Sequence, residues 1–255
     1  MKKKQSDYIV FVLLFFGISI LFYPFFKMSL LKLKLNHTQY VYNSGIESSK
    51  RFEELSQLQP PTLEQIMELD GTVMYDSILQ IPSLEKNVTI SNDTTVTAFL
   101  TGVVNMYPQR NPLEDNIVIL GHHLSDSDLL LGDIGKLKMD DKLTLIKPKE
   151  QYEYKVSNIY ITDESNVSIL DTINSPKLTI VTCDKPNYTE KRLVVEGQLI
   201  NVKEIKNEDS NERRFFSEAV PINYSDLSQT KHHNHLIWLV LLYSIIIILM
   251  IHIFL

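Results

Sequence analysis

The chain has 255 residues and a net charge of −6, with 25 basic against 31 acidic residues. The charges are interspersed, with no basic stripe and no Arg cluster, which argues against a nucleic-acid-binding protein. Eight glycines and ten prolines are too few for a low-complexity chain, and a single cysteine rules out an intramolecular disulfide and a cysteine-based metal site.

The first element in chain order is an uncharged apolar run over 8–26, YIVFVLLFFGISILFYPFF, preceded by Lys2, Lys3 and Lys4. It approaches the ~20 residues that cross a bilayer. A cleaved signal peptide has a shorter apolar region and a small-residue cleavage site, whereas this run continues into Phe25, Phe26, Lys27 and Met28. The pattern predicts an uncleaved anchor, and residues 1–34 are read as a cytoplasmic tip plus that anchor. Residues 35–74 form a helical extension: Ile46, Phe52, Leu55 and Leu58 fall near helical spacing, and Leu63, Ile66, Met67 and Leu69 follow after Pro60-Pro61.

From Tyr75 the periodicity changes to two. Strands are predicted over 77–81, 95–104, 116–121, 142–147, 154–162, 177–183 and 192–205, all short and rich in Val, Ile, Thr and Tyr. A short crossover helix is predicted over 127–137. Many short strands and few helices point to a closed β-barrel or a sandwich over 75–205. Asn-x-Thr triplets at Asn87 and Asn92 are read as chance. Residues 206–235 are a polar linker; His232, His233 and His235 near its end have no carboxylate partner and read as an interfacial collar rather than a metal site. A second apolar run over 236–255, with Trp238 near its start, predicts a C-terminal transmembrane helix. Charge does not set the topology, because Lys27, Lys32 and Lys34 oppose the N-terminal lysines.

Three chemistry-bearing residues fall at strand ends. His122 follows NIVILG, Cys183 ends KLTIVT and Arg192 opens RLVVEG. A thiol acts as a nucleophile when an imidazole takes its proton or positive charge stabilises the thiolate. The same imidazole can protonate a leaving amine. A guanidinium supplies several N–H donors for a developing oxyanion. Cysteine, histidine and arginine together make an acyl-transfer set, although a lone cysteine is as readily a buried small hydrophobe.

The motifs NIVILGHH, about sixty residues later LTIVTC, and then RLVVEG resemble those of the sortase family, as does IPSL at 81–84. The resemblance covers about residues 79–199. It implies a mainly β, closed sortase-type barrel with a few short helices, flanked by the two transmembrane helices. It implies Cys183 as nucleophile, His122 as general acid/base, Arg192 as holder of substrate and oxyanion, and Thr182 as a substrate-binding neighbour of the thiol; His123 is not catalytic. Ile180 stands where the motif usually has Leu, a volume-conserving change. The implied reaction cleaves the Thr–Gly bond of an LPxTG-like sorting signal through a thioester, which an amine resolves. The implied location is the cell membrane, with the catalytic domain extracellular. Partners would be LPxTG-bearing secreted proteins or pilins, an acceptor amine from a peptidoglycan precursor or a pilin lysine, and the bilayer.

The eight residues between Cys183 and Arg192, DKPNYTEK, look closest to class A sortases, whereas a C-terminal span resembles class C pilin polymerases. No aromatic Asp-Pro lid motif precedes the barrel. No cofactor is expected; some class A members use calcium, for which Glu114 and Asp115 are the local candidates, although solvated loop charges are the simpler reading. A pilin polymerase, a hydrolytic cysteine peptidase and a non-enzymatic binding module remain as alternatives.

Overall fold

The computed structural model describes residues 2–43, 58–69, 71–126, 129–172, 176–205, 216, 222–223 and 235–254. The chain divides into two compact units, one of residues 1–33 with 231–255 and the other of residues 34–230.

The first unit contains most of helix α1 (Lys2–His37) and helix α4 (His235–Phe254). Among the described residues, the stretch Tyr8–His37 is the one helix long and apolar enough to cross a bilayer, and its apolar window is not buried by the rest of the protein. Pro24 lies inside it. The Ser19 hydroxyl donates to the Phe15 carbonyl and also meets the Tyr243 hydroxyl at 2.9 Å, while Phe22 packs on Tyr243 with ring centroids 5.3 Å apart. The described apolar stretch of α4, Val240–His252, falls short of the ~20 residues a span takes. The expected second span is therefore not supported.

The second unit is built on a closed barrel with strand order β10-β8-β7-β3-β4-β5-β6-β9. Its strands are β3 (Ser77–Ile81), β4 (Lys86–Ser91), β5 (Val103–Asn105), β6 (Asn116–Leu120), β7 (Lys142–Ile146), β8 (Glu150–Asp163), β9 (Lys177–Cys183) and β10 (Lys191–Glu204). Most neighbours are antiparallel, but β4 with β5 and β6 with β9 run parallel. Closure leaves the barrel strands no free edge. Beside it lies a small sheet in the order β11-β1-β2, from β1 (Gln39–Tyr42), β2 (Thr72–Tyr75) and β11 (Ile222–Asn223).

Most of the predicted strands are present with shifted ends, and four regions differ. The 95–104 run is a helix, α3 (Val96–Thr101), followed by the short β5. Thr95 caps it by accepting from the Ala98 amide, and Gly102 ends it, where a Cβ would lie 2.4 Å from the Thr89 carbonyl oxygen. The cap outweighs the β-branched composition. The 127–137 helix is absent from the described part: a 3₁₀ turn covers Ile134–Lys136, and Leu129, Leu130 and Leu131 are buried in the loop before it.

Strand β4 was not foreseen. Its sequence KNVTIS reads as polar, yet every position is buried between β3 and β5, and Lys86 is ion-paired with Asp133. The Asn87 triplet lies inside it. The 35–74 region holds strands β1 and β2 as well as the expected helix after Pro60-Pro61, α2 (Leu63–Glu68). Its first predicted helix, around Ile46–Leu55, lies outside the described residues, as do most of the linker and two of the three histidines of the collar.

Candidate active site

Strand β9 lies between β6 and β10, and this placement assembles the site. The antiparallel register of β9 and β10 sets Cys183 opposite Arg192. The parallel register of β6 and β9 pairs Leu120 with Val181, and the Gly121 amide donates to the Val181 carbonyl. Continued by two residues, that register carries His122 alongside Cys183. Alternation then decides the face. Val118, Leu120, Val181 and Val194 belong to one buried apolar cluster with Cys183. His122 and Arg192 lie two residues from Leu120 and Val194 respectively, so all three site residues continue the cluster's face at one end of three adjacent strands. All are nearly or fully buried: His122 is 8 % exposed, Cys183 3 % and Arg192 0 %.

Local packing explains the residues beside them. Gly121 precedes His122 because a Cβ there would lie 2.7 Å from Val103 Cγ1 and 2.8 Å from Leu131 Cδ1. The His122 ring packs against Phe99 of α3, centroids 5.7 Å apart. Thr182 points to the opposite face from Cys183, and its hydroxyl donates to the Gly121 carbonyl at 2.8 Å. Its visible task is to tie β9 to the end of β6. His123 Nδ1 lies 2.8 Å from the Cys183 carbonyl oxygen. A carbonyl only accepts, so Nδ1 carries the proton and donates.

The guanidinium of Arg192 is held from several sides. Nη1 donates to the Thr189 and Lys191 carbonyls at 2.7 and 3.1 Å, and Nη2 donates to Glu164 Oε2 at 2.6 Å. Glu164 lies on the loop after β8, where its amide donates to the Glu190 carbonyl. This carboxylate balances a cation that has no exposure to water. Glu164 was not anticipated; a carboxylate one residue past a long strand carries no sequence signal.

Leu58 was not anticipated as a site residue either. Its side chain is buried in the apolar cluster with Cys183, Phe99, Ile169 and Leu170. Its carbonyl oxygen accepts from Cys183 Sγ at 3.3 Å and lies 3.5 Å from Arg192 Nη2. Burial is the largest influence on the thiol and pushes its pKa above the ordinary value; Arg192 opposes this, and Asp184 and Glu164 add to it. Cys183 is thus a neutral thiol at rest rather than an exposed thiolate.

Of the two candidate calcium residues, the carboxylate of Asp115 already has a partner in its own turn. Asp115 Oδ2 accepts from the Asn111 amide, and the Glu114 amide donates to the Asn111 carbonyl in the same turn. Among the described residues there is no group of three or more metal-ligating side chains.

A sequence profile of the sortase domain matches residues 79–200. A putative sortase of Bacillus subtilis, YwpE, is 34 % identical over 88 residues, which cover 34 % of this chain and 86 % of that protein. The chain belongs to the sortase family. Sortase A of Listeria monocytogenes is 28 % identical over 213 residues, covering 80 % of this sortase and 95 % of the relative. The crystal structure of Listeria monocytogenes sortase A superposes with a TM-score of 0.52 at 31 % identity, covering 56 % of this chain and 99 % of the other. Sortase A of Bacillus anthracis is 26 % identical over 80 % of this chain and 99 % of its own length. This sortase is a cysteine transpeptidase, similar to sortase A, that anchors surface proteins to the cell wall.

Proposed function

We propose that Cys183, His122 and Arg192 perform the transpeptidation, on an LPxTG-like sorting signal of secreted proteins. The observation that carries this reading is the shared face of β6, β9 and β10, which sets the three side chains at one strand end above a common apolar cluster. Cys183 Sγ adds to the threonine carbonyl of the Thr–Gly bond. The thiol proton passes through His122 to the departing glycine amine, and a thioester remains. Arg192 Nη2, aimed at the carbonyl now beside Sγ, donates to the oxyanion that develops. An acceptor amine then attacks the thioester and gives its proton to His122; the C–S bond breaks as the new amide forms, and His122 returns that proton to the departing Cys183 sulfur. Thr182 acts beside the thiol by holding β9 against Gly121 rather than by touching the reacting atoms.

The thiol, imidazole and guanidinium supply the nucleophile, proton carrier and anion holder, so the reading assigns no step to calcium or a cofactor. The short DKPNYTEK connection and the likeness to sortase A enzymes support a class A role, in which the acceptor amine comes from a peptidoglycan precursor. Helix α1 would hold the enzyme in the cell membrane with the barrel outside the cell.

The test is the fate of an LPxTG peptide incubated with the full chain, with and without an added amine. The expected product with amine is the peptide joined to it, and Cys183→Ala makes none. Release of free acid that the amine neither diverts nor accelerates would establish a hydrolase instead.

A further inference from the structure

One wall of the apolar cluster at Cys183 is a short turn rather than a strand. The 3₁₀ turn Val167–Leu170 follows β8 and puts Ile169 and Leu170 into the cluster that also contains Val118, Val181, Cys183 and Val194. A single 3₁₀ turn makes too few hydrogen bonds of its own to fix its place on the barrel. Its last carbonyls are instead taken up by side chains distant in sequence. Arg110 Nη1 donates to the Leu170 carbonyl at 2.7 Å, and Asn116 Nδ2 donates to the Ile169 and Asp171 carbonyls at 3.1 and 3.0 Å. Three consecutive carbonyls are thus held by two side chains.

Both holders are themselves fixed. Asn116 opens β6, is fully buried, and accepts at Oδ1 from Thr179 Oγ1 of β9 at 2.7 Å. Arg110 lies on the loop between β5 and β6, where its amide donates to the Tyr107 carbonyl at 3.0 Å. Its guanidinium lies over the Tyr107 ring, 3.7 Å from the centroid, and that ring packs against the same apolar cluster. Nη1 also donates to the Asn116 carbonyl at 2.9 Å, and Asp115 and Asp171 both attract the charge. A guanidinium can stack on a ring and donate in its own plane at once, which an ammonium cannot reproduce. Arg110 therefore ties together the loop after β5, the start of β6 and the turn after β8.

We propose that Arg110 is a positioning residue for the sorting peptide: with Asn116 it holds the Val167–Leu170 turn against the barrel, so that Ile169 and Leu170 form a fixed apolar wall beside Cys183. The proposal rests on the reading of Cys183 as the nucleophile that acts on an LPxTG-like peptide. Neither Arg110 nor Asn116 touches the reacting atoms. They set the fraction of molecules whose wall is in place, and apparent affinity falls with that fraction. A residue that acts in this way changes KM for the peptide and leaves the chemical step alone.

The experiment compares the full chain in detergent with its Arg110→Ala and Arg110→Lys variants, by steady-state kinetics on an LPxTG peptide with an added amine and by hydrogen–deuterium exchange. Arg110→Ala removes the donor, the charge and the ring stack. Arg110→Lys keeps a charge that can reach one carbonyl but loses the fork. The expected result for Arg110→Ala is a peptide KM raised about tenfold, with kcat within about twofold of wild type and the KM for the amine unchanged. Arg110→Lys should recover part of that loss. The Val167 and Asp171 amides, which donate to the Ser165 and Ser168 carbonyls, should exchange faster in Arg110→Ala, while β6 and β9 keep their wild-type protection. Faster exchange throughout β6 and β9, with kcat falling and KM unchanged, would overturn the proposal by making Arg110 a general support of the barrel. Wild-type exchange across the turn in Arg110→Ala would overturn it as well. Should the wild-type chain turn over no LPxTG peptide, the proposed substrate is rejected and exchange alone decides: acceleration confined to the turn sustains the clamp, and its absence overturns it.

Discussion

Arg192 and Cys183 lie opposite each other on two paired strands, and both are buried. Glu164 and the Thr189 and Lys191 carbonyls take the place of water around the guanidinium. The thiol has one carbonyl partner, Leu58, and is pushed upward by desolvation. The sign of this shift has a consequence. The folded protein holds the Cys183 proton more tightly than the unfolded chain, so ionisation of this group erodes stability as pH rises through the ordinary thiol range. Reactivity follows the same titration. The alkylation rate of wild-type protein should rise with a midpoint above the ~8.5 of a free cysteine. A stopped-flow profile with iodoacetamide from pH 6 to 10.5 checks this, and a midpoint below ~7.5 would mean that a thiolate is the resting form.

At the level of elements, β9 between β6 and β10 does the assembling, and this was the most legible part of the chain. NIVIL, KLTIVTC and RLVVEG are apolar, β-branched runs that are buried almost throughout. A parallel or antiparallel partner on either side leaves little choice of register. What could not be read was set by tertiary context. KNVTIS became a fully buried strand because β3 and β5 flank it, and TVTAFLT became a helix because Thr95 caps it. Glu164 and Leu58 reach the site from loops, where no periodicity marks them. Gly121 shows how closely β6 is fitted at the site. Its added Cβ would meet Val103 and Leu131 side chains at 2.7 and 2.8 Å, and both are packed in the interior. Gly121→Ala should destabilise the barrel by about 1–3 kcal/mol, measured by urea unfolding. It should also lower kcat more than stability alone explains, since His122 is the next residue.

For the whole molecule, the two units divide anchoring from chemistry. Helix α1 supplies a span by length and composition, and the described stretch of α4 does not. Truncation before His235 should therefore leave the protein in the membrane fraction, while removal of residues 1–33 should release a large share of it; an unchanged distribution would shift the anchoring role to α4. The barrel carries every residue assigned to the reaction, and the sortase profile falls wholly within the second unit. The central claim is that Cys183 forms an acyl-enzyme with a sorting signal. Intact-protein mass spectrometry of the full chain, quenched in acid during turnover of an LPxTG peptide without added amine, tests it most directly. The account predicts a mass increase equal to the peptide up to its threonine, mapped to Cys183 and lost on adding hydroxylamine. Turnover of the peptide with no adduct in wild type, or with activity kept in Cys183→Ala, would contradict it.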